Sequence, residues 1–179
     1  MIQPIQRMTD VASLHRTDPR LFGALPASGP IEEDPLTPLL LGLGELGHLV
    51  RSSPDDTERI ARVGADLYLL IAMMAAGRPA PPPSEADLAT LAMEQLERYT
   101  GNPLGEAWRR RPPLEHLMRA FGHWTAVAPV LSAAGGGRAR GVTRLQLVDM
   151  ANYLMFFLAA AGALERLPTA PRALAAAGG

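Results

Sequence analysis

The stretch Val148-Asp149-Met150-Ala151-Asn152-Tyr153-Leu154-Met155-Phe156-Phe157-Leu158 constrains this chain most. It is apolar all round, so the helix it predicts, from about Arg144 to Leu164, belongs inside a protein rather than on its surface. Asp149 and Asn152 stand three residues apart in it, on one helical face, and a buried helix with two polar groups on one side needs something polar to meet them. An earlier segment matches it. Arg59, Val63, Tyr68, Leu69, Ala75, Ala76 and Gly77 occur again as Arg144, Val148, Tyr153, Leu154, Ala160, Ala161 and Gly162, and Gly47-His48 occurs again as Gly122-His123. The reading that follows is an all-α bundle built from two related α-hairpins, a pseudo-twofold four-helix core with one additional helix and irregular termini. Chance similarity between Ala- and Leu-rich helices is the plainer account of the same matches.

Punctuation along the chain sets the boundaries. Pro4, Pro19, Pro26 and Pro30 predict an extended proline-containing arm over residues 1–34, with at most a short turn near Thr9 to His15. A single helical domain is predicted over 35–167. Its first hairpin, 35–77, opens at Asp34-Pro35, carries Gly42, Gly44 and Gly47 toward the second helix, turns at Ser53-Pro54-Asp55-Asp56 and ends at Gly77. After the stiff run Pro79 to Pro83, Ser84 and Asp87 form a capping pair for a linking helix over 84–99, with Leu88, Leu91, Ala92, Leu96 and Tyr99 on its packed side. Leu104 to Arg110 suits a short helix. The second hairpin, 113–166, starts at Pro113, meets a kink or stop at Pro129 and contains the glycine-rich loop Gly135 to Gly141. Residues 168–179 read as a flexible tail.

Composition excludes several functions. Seventeen Lys and Arg balance eighteen Asp and Glu, so nucleic-acid binding is not expected. Cysteine is absent, which removes disulfides, thiolate metal sites and a Cys nucleophile and agrees with a cytoplasmic protein. Met1 to Asp18 lacks the continuous apolar stretch of a secretory signal, and the longest apolar runs, Leu67 to Ala76 and Tyr153 to Leu164, are shorter than the roughly 20 residues that span a bilayer. No membrane association is expected. Walker, Rossmann, nucleophile-elbow and H-E-x-x-H motifs are missing as well.

At Leu43-Gly44-Glu45-Leu46-Gly47-His48-Leu49, followed by Gly64-Ala65-Asp66-Leu67-Tyr68-Leu69-Leu70, the chain resembles the all-α nucleoside triphosphate pyrophosphohydrolases, the MazG-like and dimeric dUTPase group. In that family an E-E-x-x-E stretch and an E-x-x-D stretch on successive helices hold magnesium, which binds the substrate's phosphates while water attacks. The resemblance puts Glu45 at the last Glu and Asp66 at the Asp, with Leu41, Gly42 and Val63 in the places of the other carboxylates. Asp149-Met150-Ala151-Asn152-Tyr153 is similar to the Asp-x-x-Asn-Tyr pattern of phage-type MazG-like proteins. It implies a magnesium site from Glu45, Asp66, Glu115 and Asp149, with Glu115 and Asp149 as catalytic groups and Arg119, His123 and Asn152 on the nucleotide.

Each of these residues also has a structural reading. Glu45 and Glu115 suit solvated helix faces, and Asp66, Asp149 and Asn152 suit buried hydrogen bonds to a neighbouring helix. His48 and His123 suit packing or capping. His116, Arg119 and the run Arg109-Arg110-Arg111 suit either phosphate or solvent. Tyr68, Tyr153, Phe156 and Phe157 suit the core before they suit a base. Two functions of different class therefore stand: a magnesium-dependent nucleotide pyrophosphohydrolase or degenerate nucleotide-binding relative, and a non-catalytic helical interaction protein that forms a homodimer through its glycine-lined or Met-rich faces.

Overall fold

The computed structural model describes residues 2–17, 35–77, 84–101, 105–133 and 142–167. Among them every regular element is helical: α1 (Ile2–Thr17), α2 (Leu36–Ser52), α3 (Thr57–Ala76), α4 (Glu85–Thr100), α5 (Pro113–Ala133) and α6 (Val142–Ala160), with 3-10 turns at Gly105–Arg110 and Leu164–Arg166. The chain is all-α, as the periodicity implied, and among the described residues no helix is long and apolar enough to cross a membrane.

α6 is the centre. Leu147, Val148, Met150, Ala151, Leu154, Met155, Phe157 and Leu158 are fully buried, and the helix packs against α5 most extensively, then α3, α4 and α1. The remaining helices are ordered around it: α2 against α3, α2 against α5, and α1 against α4 and α3. Where α3 crosses α6 the approach is set by Gly64, since a Cβ there would stand 2.6 Å from Leu158 Cδ2.

Local signals explain the boundaries. Asp56 accepts the backbone N–H of Arg59 at 3.1 Å to open α3, and Gly77, at φ 68°, takes the left-handed conformation that closes it. Ser84 and Asp87 form the full capping box of α4, the Ser hydroxyl receiving the Asp87 N–H at 3.2 Å and the Asp carboxylate the Ser84 N–H at 2.9 Å. Pro35 precedes α2 without a side-chain cap. Asp34, the linker 79–83, the glycine-rich loop 135–141 and the tail 168–179 lie outside the described residues.

Three expectations are corrected. Residues 2–17 form a helix, not an extended arm. Pro4 sits in its first turn, where backbone N–H groups have no intrahelical acceptor to lose, and Ile5 and Met8, one turn apart, are buried in the common core. Arg7 then reaches the end of the described chain, pairing with Glu165 at 2.6 Å. The remainder of the expected arm, 18–34, lies outside the described residues. α5 runs through Pro129 to Ala133; Pro129 and Thr125 are both exposed, so the carbonyl that loses its donor is open to water. Two of the three glycines of α2 do not serve the α2·α3 contact: Gly47 faces Leu117 of α5, its Cβ position 3.3 Å from Cδ2, and Gly44 faces no group of the described residues within 4 Å.

Candidate functional site

Asn152 finds its polar partner on α4. Its side-chain amide donates to the Gln95 carbonyl at 3.3 Å, its oxygen receives the Gln95 Nε2 at 3.3 Å, and the Gln95 oxygen in turn receives the Tyr68 hydroxyl at 2.9 Å. Tyr68 and Gln95 are fully buried and Asn152 nearly so, hence this chain of bonds joins α3, α4 and α6 inside the core. Burial pushes the Tyr68 hydroxyl above its ordinary range, which keeps it a donor. Asn152, expected on the nucleotide, here bonds through both its amide nitrogen and its amide oxygen to Gln95 and ties α6 to α4. Gln95 went unnoticed in the sequence, though it stands seven residues after Leu88 and four after Leu91, in register with the buried side of α4.

The expected magnesium ligands each meet something else. Asp149 is held by both guanidinium arms of Arg98, at 3.0 and 2.6 Å. Glu115 lies between Arg111 at 2.6 Å and Arg119 at 3.1 Å, and the hydrogen bond from Arg119 holds its carboxyl below the usual range. Glu45 pairs with Arg59 at 2.6 Å, and Asp66 is buried in α3. Among the described residues no group of three or more His, Asp or Glu is placed to hold a metal ion. The donor set therefore does not fit magnesium. A hard cation asks for converging oxygens, and here each of three carboxylates on different helices already neutralises a guanidinium. Arg144 holds Glu94 at 2.8 Å and the Ala75 carbonyl, fastening α6 to α4 and to the end of α3.

Arg119 and His123, both expected on the nucleotide, do come together, around Tyr153. His123 stacks on that ring with centroids 5.4 Å apart, and Arg119 lies 5.8 Å from its centre. His123 is oriented by its Nδ1, which donates to Gln146 Oε1 at 2.5 Å. Below them Trp108 stacks on Phe156 at 4.6 Å, so those ring faces serve each other rather than a base. His116, fully buried beside Trp108, donates from Nε2 to the Trp108 carbonyl at 3.0 Å, while its Nδ1 has no hydrogen-bond partner. Loss of water lowers the His116 pKa, against the Trp108 bond that raises it, so the ring is neutral. The cluster fastens the 3-10 turn Gly105–Arg110 to α5 and α6.

A concavity lies elsewhere, between α2 and α5. It encloses about 860 Å³ and is lined by Leu40, Leu43, Gly44 and Gly47 of α2, with His48, Arg51 and Ser52 at one end, and by Leu114, Leu117, Met118 and Phe121 of α5. Gly44 forms an open floor, since no atom lies within 4 Å of the position its Cβ would take. Along α5 the wall rises into a ridge: Leu114, Met118 and Phe121, spaced by four and three residues, are 40, 67 and 36% exposed. Polar contacts in the lining are local: Ser52 Oγ donates to the His48 carbonyl at 2.8 Å and lies 3.3 Å from Nε2 of the His48 ring. The sequence had marked these glycines and methionines for packing and none of the lining residues for chemistry. Compared with protein-family models, curated proteins and solved structures, the chain finds no match.

Proposed function

We propose that this protein is a non-catalytic helical interaction protein and that the furrow between α2 and α5 is its docking face. The observation that carries this reading is the furrow itself: a glycine floor and apolar walls beside an exposed Leu114, Met118, Phe121 ridge, with His48 and Arg51 at one end. Apolar surface gathered in one place is what a folded chain otherwise avoids, and a helix laid in such a furrow gains by covering it. The glycines let a partner backbone approach closely. The competing reading, a magnesium-dependent nucleotide pyrophosphohydrolase or a nucleotide-binding relative, would need Glu45, Asp66, Glu115 and Asp149 to leave their present surroundings before a metal bound.

Two assays separate the readings. A fluorescent amphipathic peptide with Leu at helical i, i+3, i+4 and i+7 positions should bind the wild-type chain, and Gly44→Leu, which fills the floor, should weaken it at least about tenfold, equivalent to about 1.4 kcal/mol. Equal binding by both proteins, or none by either, rejects the docking face. Thermal unfolding with nucleoside mono-, di- and triphosphates, each with and without magnesium, should show no shift that needs both; such a shift would favour the nucleotide site, because a ligand that binds only the folded state raises its melting temperature.

A further inference from the structure

His116 is sealed from water, and half of its polar capacity is unused. Its Nε2–H donates to the Trp108 carbonyl at 3.0 Å, which leaves the Nδ1 lone pair without a donor. A neutral ring tolerates this. A second proton, on Nδ1, would be a buried cation with no acceptor for its hydrogen bond, a costly arrangement in an apolar interior. The surroundings offer that cation little. On α5 itself the neighbouring carboxylate is Glu115, which already serves Arg111 at 2.6 Å and Arg119 at 3.1 Å, and both guanidinium groups oppose a charge on the ring. α6 turns the rings of Tyr153 and Phe156 toward it, with centroids 6.5 and 5.6 Å away, and its Asp149 is held by Arg98 of α4. The Tyr99 hydroxyl of α4 receives the Trp108 indole N–H at 3.3 Å. From the 3-10 turn come Trp108 and, 5.3 Å from the centre of its ring, the guanidinium of Arg109.

Relief has to come from movement, and the elements differ in what movement costs. His116 and Phe156 sit on helices of 21 and 19 residues packed against each other, whereas Trp108 belongs to a six-residue turn. Ala107, Arg109 and Arg110 of that turn are exposed and Trp108 is half-buried, so the indole is its anchor: stacked on Phe156 with centroids 4.6 Å apart, its N–H on Tyr99, its carbonyl on His116. Lifting the turn admits water to the imidazole and carries Arg109 and Arg110 away from the new charge.

We propose that the turn Gly105–Arg110 is an acid-released clasp: a proton on His116 lifts Trp108 off Phe156 and opens an aromatic recess between α4, α5 and α6 while those helices stay folded. The direction of the switch follows from linkage. With the clasp closed, loss of water lowers the His116 pKa, and the Trp108 bond and Glu115, which favour the charged form, only partly offset it. With the clasp open the ring regains its ordinary value of 6.5, so the open form takes up the proton more readily. The closed form therefore prevails above that pH and gives way as pH falls below it.

The test follows Trp108 in the full chain carrying Trp124→Phe. That change leaves one tryptophan of two and gives up no hydrogen bond, since Trp124 Nε1 has no partner among the described residues. Acrylamide quenching of Trp108 is read from about pH 8 to about pH 5, with circular dichroism for helicity and proton NMR for the imidazole signals. Quenching should rise at least about twofold with helicity unchanged, in step with one histidine that titrates below the ordinary value. His116→Gln keeps a donor for the Trp108 carbonyl but takes up no proton, so in that background Trp108 should stay protected throughout. Unchanged quenching over the whole range, a rise that accompanies loss of helicity, or the same rise in His116→Gln overturns the proposal. Should His116→Gln fail to fold, the NMR titration decides: a quenching step that coincides with no histidine overturns it as well.

Discussion

Adding one methyl group at Gly64 and one at Gly44 should change stability in opposite directions. Both glycines lie inside helices, where alanine is favoured over glycine by up to about 1 kcal/mol because it loses less backbone freedom on folding. At Gly44 the new Cβ meets nothing within 4 Å, so the propensity gain stands alone and Gly44→Ala should stabilise by about 0.5–1 kcal/mol. At Gly64 the same Cβ would stand 2.6, 2.8 and 3.1 Å from Cδ2, Cδ1 and Cγ of Leu158. Leu158 is fully buried, so its side chain cannot swing into water, and α3 must retreat from α6 or the leucine must leave its rotamer. Overpacking of this kind costs about 1–3 kcal/mol. With three atoms in conflict the upper half of that range applies, and after the propensity gain Gly64→Ala should destabilise by about 1–2 kcal/mol, a fall in melting temperature of roughly 2–8 °C for a chain of this size. The assay is urea unfolding followed by circular dichroism, at dilution so that association does not contribute, with the shift read from the midpoint at unchanged slope. A companion cycle with Leu158→Ala should show positive coupling, since the new methyl partly fills the space that the leucine leaves. Equal stabilisation by Gly64→Ala and Gly44→Ala would refute the claim that α3 and α6 meet at van der Waals limit through Gly64.

The other predictions concern the polar interior and the candidate acids. Gln95→Leu removes the side-chain acceptor of the Tyr68 hydroxyl and the donor to Asn152 Oδ1, while the bond from the Asn152 amide to the backbone carbonyl of residue 95 remains; each lost partner is worth about 1–3 kcal/mol, so a loss of about 2–6 kcal/mol is expected by chemical unfolding, and a loss below about 1 kcal/mol would mean that water enters and the interior is not dry. The lowered pKa of His116 makes stability pH-dependent: the unfolded chain takes up the proton near pH 6.5 and the folded chain only below that, so stability is full above about 6.5 and declines as pH falls through the folded value. His116→Gln, whose amide can still donate to the Trp108 carbonyl, should flatten that dependence; an unchanged slope in His116→Gln assigns it to another group. Asp149→Asn breaks a pair whose guanidinium is about half exposed, and should cost no more than about 1 kcal/mol without altering any response to magnesium.

Much of the architecture was legible because it is written in local chemistry. Asp56, Gly77, Ser84 and Asp87 punctuate the helices they were read to punctuate, and the all-round apolar stretch 148–158 marked the central helix. α1 was misread because prolines were counted without regard to position: Pro4 in a first turn is compatible with a helix, whereas the same residue a few places later would not be. Partners across the fold were beyond reach. Asp149 and Asn152, three apart on α6, meet Arg98 and Gln95, three apart on α4, and nothing in a pair of amphipathic patterns dictates that these two faces meet. The same two residues prompted the expectation of a magnesium and nucleotide site, yet a guanidinium and an amide from α4 occupy their polar atoms. The glycines of α2 carried a readable hint of close packing, but whether a small residue serves a neighbouring helix or an outside partner depends on what stands opposite: Leu117 for Gly47, and no group of the described residues for Gly44.

The most direct measurement uses the absence of cysteine. Met118 on the α5 ridge and Met93 on α4 are almost equally exposed, at 67 and 66%, so Met118→Cys and Met93→Cys each place one thiol in an otherwise thiol-free chain with similar access to water. Alkylation by iodoacetamide is then timed for each variant, alone and with an excess of the amphipathic peptide. Position 118 should become protected as the peptide is added while position 93 continues to react at its original rate. Unchanged reactivity at 118, or equal protection at both positions, would contradict the claim that the α2/α5 face is where this protein meets its partner.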